Sequence, residues 1–258
     1  AGALHDEQER ILVVSTTNRA TDAAALAIGR AALSENSKAL DAGEILRIGK
    51  GASYQAFLDA GLASILRGTE SEILSQIGGL AQQLQLFDSW EDKALTMKQI
   101  AELRTGGSDQ SKRLFVDPAA RVVVATAFKA LKFLDDELVR KMIENGEAPF
   151  TTIFIDEAGL ISRAAVAALS LLASRRVVLV GDSKQLAPIS RISRVLPSRQ
   201  ETWLANSGVS HLNQIHGTPK AVHVLSEQRR MHPEVCKVVS DYQYNGILTT
   251  APETAQRK

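Results

Sequence analysis

The chain has 258 residues, 45% of them hydrophobic, with 30 Lys and Arg against 29 Asp and Glu. That length suits one large domain or one domain plus part of another, and the apolar content is ample for a buried core. A net charge of +1 excludes a globally basic nucleic-acid binder, the single cysteine Cys236 excludes an internal disulfide and points to a reducing compartment, and no apolar run reaches membrane-spanning length.

The opening residues show no signal peptide, so the expected location is cytoplasmic, or nuclear in a eukaryote, with no membrane partner. Ala1 to Arg10 resembles the end of a helix feeding a strand, and the polar tail after Thr249 lacks a capping element. A fragment of a longer protein is expected.

Ile11 to Val14 reads as a short buried strand, and Ser15-Thr16-Thr17-Asn18 as a polar loop. Thr21-Asp22 can cap an Ala-rich helix running to about Leu33. Glu44 to Ile48 is a second strand candidate, followed by the loop Gly49-Lys50-Gly51. From Ser53 to Arg104 the pattern turns helical. Leu74, Ile77, Leu80, Leu84 and Phe87 recur at helical spacing and predict two or three helices forming an insertion. Gly106 to Arg113 reads as a basic-ended loop.

Arg121 to Ala125 is the next buried strand, ending in Thr126, and Phe128 to Asn145 reads as one amphipathic helix that stops at Asn145-Gly146. Thr152 to Ile155 and Val178 to Val180 are apolar runs that end abruptly in polar groups, joined by a helix from Arg163 to Leu172. Ala221 to Leu225 is a further strand candidate, and Pro233 opens a helix to about Tyr244. Strands alternating with helices predict an α/β fold with a parallel sheet and right-handed crossovers.

The two abrupt strand ends carry the chemistry. The first delivers Asp156 and Glu157; the second delivers Asp182, Lys184 and Gln185. An Asp at the exit of a buried strand can hold Mg²⁺ through its water shell, and a neighbouring Glu can orient or deprotonate an attacking water. Gln185 can hydrogen-bond a phosphate or that water while staying neutral. The bland alternative is a pair of polar connections, the acidic residues merely favouring a helix start.

Asp156-Glu157-Ala158-Gly159 followed by Gly181-Asp182-Ser183-Lys184-Gln185-Leu186-Ala187-Pro188 resembles motifs II and III of superfamily 1 helicases. Glu227-Gln228-Arg229-Arg230-Met231-His232-Pro233 resembles motif IV of the branch containing the nonsense-mediated-decay RNA helicase and the Okazaki-fragment helicase–nuclease. Tyr244-Asn245-Gly246-Ile247-Leu248 matches the segment that commonly follows. Ser15-Thr16-Thr17-Asn18 is similar to motif Ia, and Ala125-Thr126 to motif Ic. The segments run in family order over most of the chain.

The resemblance implies a RecA-like P-loop NTPase domain over residues 1–225 with a helical insertion at about 50–115, and the start of a second RecA-like domain over 226–258. It implies ATP-dependent movement along single-stranded DNA or RNA, with ATP and Mg²⁺ as cofactors. Asp156 would ligate Mg²⁺ through water, Glu157 would be the catalytic base, Gln185 would read the γ-phosphate, and Arg230 would stabilise charge in the transition state. Asp182, Gln228 and Arg229 are the further nucleotide-contact candidates. Ser15, Thr17, Asn18 and Thr126 would lie along the nucleic acid, where short hydroxyl and amide groups suit backbone contacts. The insertion could dock a protein partner.

The chain departs from the family pattern in three ways. No Gly-x-x-x-x-Gly-Lys-Ser/Thr loop is present, and its expected place is before residue 1. Motifs V and VI are expected beyond residue 258. Arg229 stands where the family has a Tyr that can stack on adenine, and Thr16 stands where motif Ia often has Pro. A catalytically incomplete nucleic-acid-binding module and a nucleotide-switched interaction protein are the alternatives.

Overall fold

Apolar strands buried on both faces need helices on both faces, and the chain supplies them. The computed structural model describes residues 6, 8–35, 38–49, 53–66, 70–189, 206–210 and 222–256. Its strands are β1 (Ile11–Ser15), β2 (Ile45–Ile48), β3 (Val122–Thr126), β4 (Phe150–Ile155) and β5 (Ala173–Leu179). They form one parallel sheet in the order β2-β3-β1-β4-β5. The register pairs Ser15 with Thr126 and Val14 with Ile155, so the strand exits share one edge.

Helix α1 (Asn18–Glu35) buries Ala25 and Ala32 against Ile45, Val122 and Val124. Phe57, Leu62 and Ile65 complete that core layer. Phe57 comes from α3 (Tyr54–Asp59), Ile65 from the 3-10 turn Ala63–Leu66 and Leu62 from the link between them, all after the short α2 (Lys38–Asp41). On the aromatic side, Phe115 stacks on Phe133 at 4.1 Å and meets Phe150 edge-on at 5.0 Å. Arg10 lies 4.5 Å from the Phe150 ring centroid and donates to the carbonyls of Ala120, Phe115 and Pro149. Burial pushes its guanidinium down to about 10. Nearby, Glu9 is buried and held below the usual carboxylate range, first by the hydroxyl of Thr152 and also by Arg176.

The insertion consists of α3, α4 (Glu70–Leu86) and α5 (Trp90–Val116), the last two packed as a hairpin. Here the structure corrects the sequence reading: Gly106 to Arg113 lies inside α5, not in a loop. The buried Ser111 and Phe115 anchor that helical end in the core, which outweighs the weak helix propensity of the glycines. The expected single helix from Phe128 is two, α6 (Ala127–Phe133) and α7 (Glu137–Glu144). Asp136 caps α7 by accepting from the Leu138 amide, which starts a new helix where continuity was expected. The α1 cap is Thr17, whose Oγ1 accepts from the Ala20 amide, rather than Thr21-Asp22. Helix α8 (Arg163–Ser170) links β4 to β5. Of the strand expected at Ala221 to Leu225, Ala221 lies outside the described residues and 222–226 form no strand.

The described residues fall into two compact units, one within Ala1–Asp182 and Leu186–Ser210, the other within Ser183–Gln185 and His211–Lys258. The second unit pairs β6 (Glu227–Gln228) in parallel with β7 (Thr249–Thr250). Its helices are α9 (Pro233–Gln243) and α10 (Pro252–Ala255), and Cys236, Ser240 and Thr254 are buried.

Candidate functional site

The exit of β4 is built almost wholly from backbone. The Asp156 amide donates to Val14 O at 2.8 Å, and the Ala158 amide donates to Val180 O at 2.9 Å. The half-buried Asp156 accepts a long bond, 3.4 Å, from the buried Ser15 hydroxyl to its Oδ2. Glu157 then turns the chain with φ 53° and ψ 38°, a left-handed conformation, and opens the 3-10 turn Ala158–Leu160. A non-glycine residue there carries about 1–2 kcal/mol of strain, which a purely structural turn would shed by using glycine.

Two glycines lock this exit to that of β5. A Cβ at Gly159 would lie 2.7 Å from Asp182 O, and one at Gly181 would lie 2.8 Å from the Gly159 nitrogen. The half-buried Asp182 therefore sits one backbone contact away from the Asp156-Glu157 turn. Gly159→Ala should cost about 1–3 kcal/mol, because backbone, not a yielding side chain, meets the new methyl. The urea midpoint would fall with an unchanged m-value; a wild-type midpoint would disprove the tight contact.

The first turn of α1, just after β1, is held by an arginine that belongs to none of the motifs. Arg47 of β2 is 0% exposed. Its Nε donates to Asp22 Oδ1 at 2.9 Å, its Nη1 to the carbonyls of Ile48 and Gly49, and its Nη2 to Asn18 Oδ1 at 3.0 Å. Asp22 Oδ2 in turn accepts from the Ser53 amide. This commits the Asn18 oxygen inward and leaves its NH₂ as the group for an outside acceptor. Thr17 is exposed with its Oγ1 on the Ala20 amide. Thr126 Oγ1 caps α6 by accepting from the Lys129 amide at 3.2 Å, so its own proton can still be donated. An arginine inside the otherwise apolar Ile45-Leu46-Arg47-Ile48 was the available sequence signal for this network.

Ser15, Thr126 and Asp156 thus share one sheet edge, with Asn18 at the start of α1 and Asp182 on the loop after β5. Gln185, Gln228, Arg229 and Arg230 belong to the second unit. Gln185 is exposed there. Gln228 is spent on its own turn. Its Oε1 accepts from the Arg230 and Met231 amides, and its Nε2 donates to Met231 O and Thr250 Oγ1. Arg229 pairs with Glu227 and Glu253, both at the surface. Arg230 is exposed and makes no ion pair among the described residues. His232 caps α9 through Nδ1.

Among the described residues no group of three or more His, Cys, Asp or Glu gathers as a metal cage. Mg²⁺ usually keeps several waters and takes one or two carboxylates plus phosphate oxygens, so a lone strand-end Asp156 is chemically suited to it. Among the described residues no helix is long and apolar enough to cross a membrane.

A family model described as an AAA domain matches residues 77–251, more than half of the chain and including both the β4 and β5 exits. The chain belongs to the AAA domain family. Over 116 residues the chain is 33% identical to the human protein described as "Probable helicase senataxin". The alignment covers 42% of the chain and 4% of that relative, so the chain spans a small part of the relative's length. The parallel sheet flanked by helices is consistent with a RecA-like P-loop NTPase domain.

Proposed function

We propose that this AAA domain is the core of an ATP-hydrolysing superfamily 1 helicase or translocase that moves along single-stranded DNA or RNA. The supporting observation is the β4 exit: Asp156 beside a strained Glu157, locked backbone to backbone onto the β5 exit. In this reading Asp156 would hold Mg²⁺ through water, and the bound ion would supply positive charge for the phosphates. Glu157 orients and deprotonates the attacking water, Gln185 reads the γ-phosphate, and Arg230 stabilises the transition state. Asp182 and Arg229 assist nucleotide binding, while Gln228 shapes the turn that presents Arg230. Ser15, Thr17, Asn18 and Thr126 line the nucleic-acid track. The α4–α5 hairpin is the candidate contact for a protein partner.

A second reading, strand binding without hydrolysis by this chain, is favoured by the absence of a Gly-x-x-x-x-Gly-Lys-Ser/Thr loop from its sequence. The test is Mg·ATP hydrolysis by the intact protein and by this chain, with and without single-stranded DNA and RNA. The proposal expects oligonucleotide-stimulated turnover in the intact protein. Turnover indifferent to nucleic acid would replace it with a nucleotide-switched interaction protein.

A further inference from the structure

Helix α6 buries Ala127, Ala130 and Phe133, yet its second residue, Phe128, is 69% exposed. Its core face is already filled, so packing does not account for a phenyl ring left in water. One lysine stands against the ring: Lys132 Nζ lies 5.0 Å from the Phe128 centroid. Lys129 is the other charged residue of the helix, and its ammonium lies 5.2 Å from the Phe133 centroid. The acidic residues begin only after the helix, at Asp135, and Asp136 is paired with Lys112.

The helix that carries the ring starts at the functional edge. Thr126, two residues earlier, is in register with Ser15. A Cβ at Gly49 would lie 3.4 Å from Lys129 Cγ, and the Gly49 carbonyl accepts from Arg47, which holds Asn18. The starts of α6 and α1 are therefore linked through Gly49 and the buried Arg47 guanidinium.

We propose that Phe128 is a base-stacking platform on the single-strand track, with Lys132 meeting phosphates beside it. The inference rests on the nucleic-acid reading above and adds to it the residue that contacts the bases. An exposed phenyl offers a π-face to any base, which suits sequence-tolerant binding, and the adjacent Lys132 suits a polyanion rather than a basic or neutral peptide. Ser15, Thr126 and Asn18 supply short polar groups for the backbone but no surface for a base. Phe128 supplies that surface.

The test uses this chain and three labelled strands of equal length: oligo-dT, oligo-rU, and an abasic deoxyribose-phosphate strand. Anisotropy titrations at one fixed salt concentration should show wild type preferring the strands that carry bases. Phe128→Ala, a surface truncation that leaves thermal melting unchanged, should weaken dT and rU binding about 5- to 100-fold and leave abasic binding intact. Phe128→Tyr should restore the preference. Lys132→Gln should weaken all three strands together and lower the salt slope by about one. A Phe128→Ala protein that still prefers base-bearing strands as wild type does would overturn the stacking role, as would equal losses on all three. Failure of wild type to bind any strand would overturn the nucleic-acid reading and the platform with it. The dT and rU arms report which nucleic acid is preferred.

Discussion

Arg47→Met should destabilise the first unit by about 3–5 kcal/mol, the scale of breaking a buried ion pair from one side. The side chain of Arg47 is 0% exposed and that of Asp22 10%, so the change strands a carboxylate with no counter-charge. It also orphans the carbonyls of Ile48 and Gly49 and releases Asn18. Replacing both partners, Arg47→Met with Asp22→Leu, should recover part of the loss, because no buried charge is then left without its counter-charge, while the carbonyls of Ile48 and Gly49 and the Ser53 amide still lack their partners. The double variant then isolates the second role of Arg47. Folded but without the inward bond to Asn18, it should bind oligonucleotide more weakly than wild type. Urea denaturation reads the first effect and anisotropy the second. A single variant with wild-type stability would remove Arg47 as the linchpin of this edge.

Glu157→Gln should lower kcat of the intact protein about 10²- to 10⁴-fold while ATP binding persists, the usual contribution of a positioned general base. Glu157→Asn asks a different question. Asn tolerates the left-handed region better than Glu does, so this variant should be as stable as wild type or up to about 1 kcal/mol more stable. Activity and stability would then move in opposite directions at one residue, as expected where strain serves function. Turnover retained in Glu157→Gln would rule out the base assignment, and a lower melting temperature in Glu157→Asn would rule out the strain.

The β4 and β5 exits were legible because buried parallel strands are written as aliphatic runs, and a run that stops at Asp-Glu or Gly-Asp announces its own edge. The same logic located β1 and β3, and Pro233 marked the start of α9. It did not locate Arg47, because a charged residue in an apolar strand reads as a defect until its partners are known. Those partners, Asp22 and Asn18, lie 25 and 29 positions away in sequence. Asp22 was misread as a local cap for that reason. Gly106-Gly107 looked like a loop because propensity is local, whereas the helix through them is anchored by Phe115 in the core. The left-handed turn at Glu157 leaves no compositional trace, since the residue suited to that conformation is glycine and the chain has none there.

Gly159 and Gly181 face one another with no room for a carbon atom on either. In the genetic code every single-base change away from a glycine codon yields alanine, valine, serine, aspartate, glutamate, arginine, cysteine, tryptophan or a stop. Each of those amino acids brings a Cβ. Every one-step amino-acid change at either glycine thus pushes a carbon into the backbone of the other strand exit, so the two codons share one steric constraint.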